Sequence, residues 1–246
     1  MKERVSRNMK NHFLEGIKDG IPICLGYFSV SMAFGLAVAQ AGIPVWVAVM
    51  ISLSNLTSAG QVAGTNILIA GGNMIELAMT TLIINVRYFL MSLSVSQKTE
   101  AKAGVLKRMA MSFGITDEIF AVSMKHKGEL TPAYMAGLII TPVIGWTSGT
   151  FLGAVANSLI PVAVSDAMGI ALYGMFIAVI IPDAREHKNV LFVVILAILA
   201  SLVFYFTPLK ALSTGWSIII ITILVSGIAA FLFPVASANE EENTEE

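Results

Sequence analysis

Charge is scarce in this chain. Only 13% of its 246 residues are Asp, Glu, Lys or Arg, about half the share of an average soluble domain, while 56% are hydrophobic and the mean hydropathy is +0.80. That balance excludes a water-soluble globule. A net charge of −1 carries no signature of nucleic acid or of strongly anionic partners. Cysteine is limited to Cys24, inside the first apolar run, so neither an intrachain disulfide nor a cysteine-based metal site can form. His12, His126 and His187 lie near span ends or in loops, and H-E-x-x-H, G-x-S-x-G and phosphate-loop patterns are absent. Nothing here indicates an enzyme, a metal or a cofactor.

What the chain has in quantity is apolar runs of near-membrane length. Candidates are Ile21 to Ala41, Leu77 to Ser96, Ala133 to Ala156, Ala167 to Ile181, Val190 to Phe206 and Trp216 to Phe233. Runs of about 20 residues match a 30 Å hydrocarbon layer at 1.5 Å per residue. The pattern predicts an all-α, polytopic membrane protein of about six to seven spans, one membrane-embedded domain over residues 1–236. Ser237 to Glu246, with five glutamates among small polar residues, reads as an acidic disordered tail. Ala37-Val38-Ala39 has the form of a signal-peptidase site, but the apolar run before it is too long for a signal core and more spans follow, so it reads as an uncleaved first span.

The basic residues set the topology. Lys2, Arg4, Arg7, Lys10 and Lys18 form one cluster, Lys98, Lys102, Lys107 and Arg108 a second, and Lys125, Lys127, Arg185 and Lys188 follow. The positive-inside rule wants these on one side. Counting Val45 to Ala70 as a crossing puts the second cluster outside. That segment is itself anomalous, because two short apolar stretches flank Ser52-Leu53-Ser54-Asn55-Leu56-Thr57-Ser58-Ala59-Gly60-Gln61. A re-entrant, broken segment there places every cluster inside, with both termini cytoplasmic. Ala103 to Met124, moderately apolar and carrying Asp117 and Glu118, reads as interfacial, re-entrant or a broken helix.

Arg87 lies about ten residues from either end of its apolar run, where a charge costs roughly 2.5 to 3.5 kcal/mol by the most lenient scale. Glu76, Thr80, Arg87 and Ser94 share one helical stripe, and Thr81, Asn85, Tyr88 and Ser92 another about 140° away. The helix is therefore either buried on both sides or unwound near Asn85, unless Arg87 snorkels to an interface. Glu76 is about 16 Å away along the axis and cannot pair with Arg87. Asp117 or Glu118 is the best supply of negative charge, although Thr116 followed by two acids is also an ordinary helix N-terminus. Asn55, Ser58 and Gln61 from the broken segment, with Asn85 and Arg87, form the candidate substrate-binding set, and Asp117 and Glu118 the candidate proton-coupling pair. The plainer account of the small polar residues is close helix packing.

Pro22-x-x-x-Gly26 followed by Phe34 to Ala39 echoes Pro142-x-x-Gly145 followed by Phe151 to Ala156. An inverted repeat is one reading of the echo, and helix packing is the other.

Gly20-Ile21-Pro22 with Gly26 and Phe34-Gly35, the Ser52 to Gln61 segment with Ala59-Gly60, Asn85-Val86-Arg87-Tyr88 and Thr116-Asp117-Glu118-x-Phe120 together resemble the AzlC-type branched-chain amino acid permeases. The likeness covers most of the first 150 residues in order. It implies the large subunit of a bacterial inner-membrane exporter of valine, leucine, isoleucine and similar amino acids, working with a small, very hydrophobic AzlD-type subunit. Gln61 directly after Ala59-Gly60 departs from the spacing expected in many members. A non-transporting membrane scaffold, in which Arg87 answers an acid on a partner chain, is the alternative.

Overall fold

The computed structural model describes residues 2–157, 159 and 161–233, and the acidic tail lies outside them. Among the described residues the chain is helical: α1 Lys2–Gln40, α2 Val45–Ser54, α3 Ser58–Ile69, α4 Met74–Lys98, α5 Val105–Phe113, α6 Asp117–Lys125, α7 Pro132–Ala156, α8 Val162–Glu186, α9 Lys188–Phe206, a 3-10 turn Pro208–Ala211, and α10 Thr214–Leu232. Each predicted span falls on a helix. Five of these, within α1, α4, α7, α9 and α10, are long and apolar enough to cross a membrane. The helices group into two compact units. One holds residues up to Thr65 with Ile84–Phe176, the other Asn66–Ile83 with residues from Ile177 onward.

The first unit is built on α1 and α7. A Cβ on Gly16 would lie 2.0 Å from the Tyr134 carbonyl oxygen, one on Gly145 2.5 Å from that of Cys24, one on Gly149 2.4 Å from that of Phe28, and one on Gly153 2.0 Å from that of Met32. Only glycine lets the backbones approach so closely. The contacts rise together along both helices, so α1 and α7 run parallel. The echoing Pro and Gly segments lie on these two helices, and an inversion would set them in opposite senses. In this pair the echo marks mutual packing.

Two broken helix pairs pack on this spine. At nine residues each, α5 and α6 rise about 13 Å, less than half of a 30 Å hydrocarbon layer. Their outer ends return to one place: Leu130 N–H donates to the Lys98 carbonyl at 2.9 Å, and Glu100 N–H to the Leu130 carbonyl at 3.1 Å. Two basic residues of the predicted inside clusters close that base. Lys98 Nζ donates to the carbonyls of Met124 and His126, each at 2.6 Å, at the end of α6, while Arg108 donates to the carbonyls of Ser96 in the last turn of α4 and of Glu100 just beyond it. Residues 103–124 therefore form a re-entrant hairpin. Its tip, Gly114-Ile115-Thr116, is buried, and Met111, Ile115 and Ile119 join a core with Ile23, Val95 and Leu138.

The earlier pair enters from the other end. Ala48 packs on Phe34 and Val38 near the end of α1, the chain breaks at Asn55-Leu56-Thr57, and α3 returns along α4 with Gly60 against Asn85. The expected re-entrant element is present. Because Lys98 at the end of α4 meets Leu130 just ahead of α7, whose first turns pair with Gly16, α4 runs antiparallel to α1. The order of one long helix and one broken hairpin thus occurs twice in opposite senses, as α1–α3 and α4–α6. Inversion relates these halves.

In the second unit, Glu76 is buried at the start of α4. Its carboxylate accepts from the Ser213 hydroxyl and, at 3.0 Å, from Gly215 N–H, satisfying the first turn of α10. No described residue of α9 is fully buried, and Phe192 meets Phe233 edge-on at 5.7 Å between ring centroids.

The glycine spine gives a paired prediction. A Cβ on Gly35 would lie 2.1 Å from the Thr150 carbonyl oxygen, whereas nothing lies within 4 Å of one on Gly26. Gly35→Ala should cost about 1–3 kcal/mol and lower the melting temperature of the purified protein. Gly26→Ala, at an open helical position, should leave it unchanged or raise it.

Candidate functional site

The two broken tips meet across a small cavity. Tyr27 of α1, Leu56 and Ser58 from the first break, Tyr88 of α4, Thr116, Asp117 and Glu118 from the second, and Trp146 of α7 line it. Its volume of about 20 Å³ admits a water molecule and no amino acid. The site is closed.

One wall is charged. Arg87 Nη2 lies 2.9 Å from Asp117 Oδ2 and donates to the Tyr88 hydroxyl at 3.2 Å, with the guanidinium carbon 5.0 Å from the centre of the Tyr88 ring. Opposite signs this close attract each other. The pair is open on one side, since the side chains keep 44% and 32% of their exposure. Beside it the Tyr27 hydroxyl lies 2.6 Å from Thr116 Oγ1 and hydrogen-bonds to the Glu118 carboxylate. A phenol has one proton to donate, so the ionised carboxylate takes it and the threonine hydroxyl completes the chain. Thr116 also caps α6, accepting from Ile119 N–H at 3.4 Å. Both sequence readings of Thr116-Asp117-Glu118 therefore hold together: the segment starts a helix, and it supplies the partner of Arg87.

The opposite wall is neutral and fully buried. Trp146 Nε1 donates to Gln61 Oε1 at 3.1 Å, Gln61 Nε2 donates to Ser52 Oγ at 2.8 Å, and the Ser52 and Thr150 hydroxyls are 2.7 Å apart. All four residues are at most 2% exposed. The Tyr27 ring meets the indole edge-on at 5.2 Å between centroids.

The residues singled out in the sequence are distributed as follows. Ser58, Asp117 and Glu118 line the cavity, and Arg87 reaches it through Asp117. Gln61 stands one residue behind, holding Trp146. Asn55 ends α2, its side-chain oxygen accepting from Thr57 N–H at 3.4 Å, which shapes the tip. Asn85 faces Gly60 on α3, with a buried Oδ1 that has no hydrogen-bond partner. Because α4 is helical throughout Met74–Lys98, Asn85 and Arg87 face different neighbours, one toward each hairpin. Glu76, on the stripe of Arg87, serves α10 instead.

Tyr27 and Trp146 were missed. The available signal was position: tryptophan favours the membrane interfaces, and Trp146 stands in the middle of its apolar run.

A model of the AzlC protein family matches residues 22–160, more than half of the chain, and that stretch carries both hairpins and every residue of the cavity wall. The chain is 28% identical to the inner membrane protein YgaZ of Escherichia coli (strain K12) over 185 residues, 72% of this chain and 75% of that one. It is 25% identical to an uncharacterized membrane protein of Archaeoglobus fulgidus, over 70% of this chain and 76% of the relative, and 25% identical to one of Helicobacter pylori (strain J99), over 72% and 79%. No solved structure matches. By the extent of the family match, and with the cavity wholly inside it, this chain is a membrane protein of the AzlC family.

Proposed function

We propose that this protein is a secondary transporter that exports branched-chain or similar hydrophobic amino acids across a bacterial inner membrane in exchange for protons, together with a small AzlD-type membrane subunit. The observation that carries the reading is the pair of broken hairpin tips, from opposite ends, closing on a cavity beside an ion pair halfway along α4. Non-helical backbone and charge at such depth are costly, and transporters place both where substrate and coupling ions bind. Both termini and the Lys98–Arg108 cluster would face the cytoplasm.

The chemistry of exchange follows from the acids. A substrate ammonium can bind Asp117 or Glu118 only when the carboxylate is ionised, so proton and amino acid compete for the same oxygens. Competition of that kind yields antiport: protons enter as the amino acid leaves. Arg87 answers the substrate carboxylate or, between cycles, Asp117, while Ser58, with Asn55, Gln61 and Asn85 shaping the first break around it, orients the zwitterion. Opening to one side requires the α5–α6 tip to withdraw from Tyr27 and Arg87.

A second reading, a scaffold subunit that transports nothing, draws on the open side of Arg87, where a partner chain could present an acid. Cells lacking either this chain or its small partner would then keep normal amino acid levels.

Efflux of radiolabelled valine from preloaded cells tests the proposal. It should require both chains and collapse with an uncoupler. Arg87→Ala at normal protein level should reduce efflux by about a hundredfold, a loss typical of a charge contact formed at the reacting site. Efflux at the normal rate in that variant refutes the central role of Arg87. In a Cys24→Ser background, Gly114→Cys with Ile139→Cys should be cross-linked by an oxidant, since a side chain at 114 would enter the space that the Ile139 side chain holds and the second substitution vacates. Oxidation should stop efflux and a reductant restore it, because the tip is then tied to α7. Unimpaired efflux in the oxidised variant removes hairpin movement from the mechanism.

A further inference from the structure

The walls of the cavity differ in what holds them. Thr116, Asp117 and Glu118 are held by contacts to Tyr27 and Arg87 that include two carboxylates and a part-exposed ion pair. Protonation of either acid weakens those contacts. Trp146 is held by neutral groups alone, the Gln61 amide and through it the Ser52 and Thr150 hydroxyls, on three different helices. No change of pH or proton binding loosens that network. Moving the indole would strand a buried N–H and a buried amide without partners. The backbone beneath is equally fixed, with Gly145 and Gly149 on either side of Trp146 pressed against the Cys24 and Phe28 carbonyls of α1.

We infer that Trp146 is the specificity-determining wall of the transport site, the surface against which the side chain of the substrate is measured. The inference rests on the transport reading. When the α5–α6 tip withdraws, space opens on the charged side, where the ammonium and carboxylate are held. The side chain is left to face the indole, which is fixed in position, with Leu56 and the Tyr27 ring beside it. A branched aliphatic group packs there with no polar group left unpaired. An aromatic side chain of greater depth meets the indole before its charged end reaches Asp117 and Glu118. Gln61 is the positioning residue, acting through the indole N–H.

Trp146→Phe and Trp146→Ala deepen the pocket by steps. The ratio of phenylalanine to valine exported should rise by about tenfold or more in Trp146→Ala and by less in Trp146→Phe, the range that a few carbons of pocket depth commands. Gln61→Leu should blur the preference without reversing it. A ratio within about twofold of wild type in both Trp146 variants overturns the inference. Because Trp146→Ala removes a large buried side chain and could fail to fold, a second measurement uses an intact pocket. Trp46→Phe with Trp216→Phe leaves Trp146 as the only tryptophan, and both replaced residues are exposed, at 70% and 37%. Valine added to that purified protein should change the tryptophan emission, and Arg87→Ala should abolish the change. An emission change without export would refute transport while keeping the pocket. Export of valine by the wild type with neither an emission change nor an altered ratio refutes the role of Trp146 alone. Absence of both export and emission change refutes the two together.

Discussion

The approach of two glycine-lined backbones supports the rest of the first unit. Along α1 and α7, carbonyl oxygens of one helix sit where a Cβ of the other would be, so the helices meet at backbone distance and gain dispersion contacts over several turns. In a bilayer no hydrophobic effect drives helices together, because lipid tails are as apolar as leucine, and close packing must supply the attraction. The parallel pair is the surface on which both broken hairpins find a seat. Short helical arms could not hold a position in the membrane without it. Each is about half the thickness of the hydrocarbon layer, and each ends in backbone groups that need partners.

The hairpins are held by different forces. The α2–α3 arm is fixed through a neutral, fully satisfied network of Ser52, Gln61, Trp146 and Thr150. The α5–α6 arm combines an apolar seat around Ile115 and Ile119 with ionic and hydroxyl contacts at its tip. Apolar packing is indifferent to protons, whereas the contacts of Asp117 and Glu118 are not. The ionisable contacts thus lie on one hairpin, and the network of the other contains none. The two halves are related by inversion and differ in this respect.

The basic residues serve two purposes. Lys98 and Arg108 belong to the clusters from which the sequence reading takes its orientation, and they also bond the carbonyls left free where α6 and α4 end. Closure of the hairpin base is the work of these side chains. The family match ends at residue 160, and in the second unit no described residue of α9 is fully buried, while α10 is tied to the start of α4 by Glu76.

Much of the architecture was legible locally. Apolar run lengths gave the long helices, the conflict between basic clusters and the Ser52 to Gln61 polarity gave the first re-entrant segment, and a mid-run arginine pointed to an acidic partner on the Thr116-Asp117-Glu118 segment. These are properties of neighbouring residues and of the cost of leaving charge or broken backbone in hydrocarbon. Three decisions needed the tertiary structure. Asp117, rather than Glu118, pairs with Arg87; residues 103–124 turn back instead of crossing or lying flat; and the inverted halves are α1–α3 and α4–α6, while the echoing segments belong to a parallel pair. The same holds for Tyr27, which meets Glu118 at a separation of 91 residues, and for Trp146, which meets Gln61 at 85. Periodicity reports which way a side chain faces on its own helix. Which side chain it meets depends on how closely the backbones approach, and here glycine contacts between helices far apart in the chain decided that.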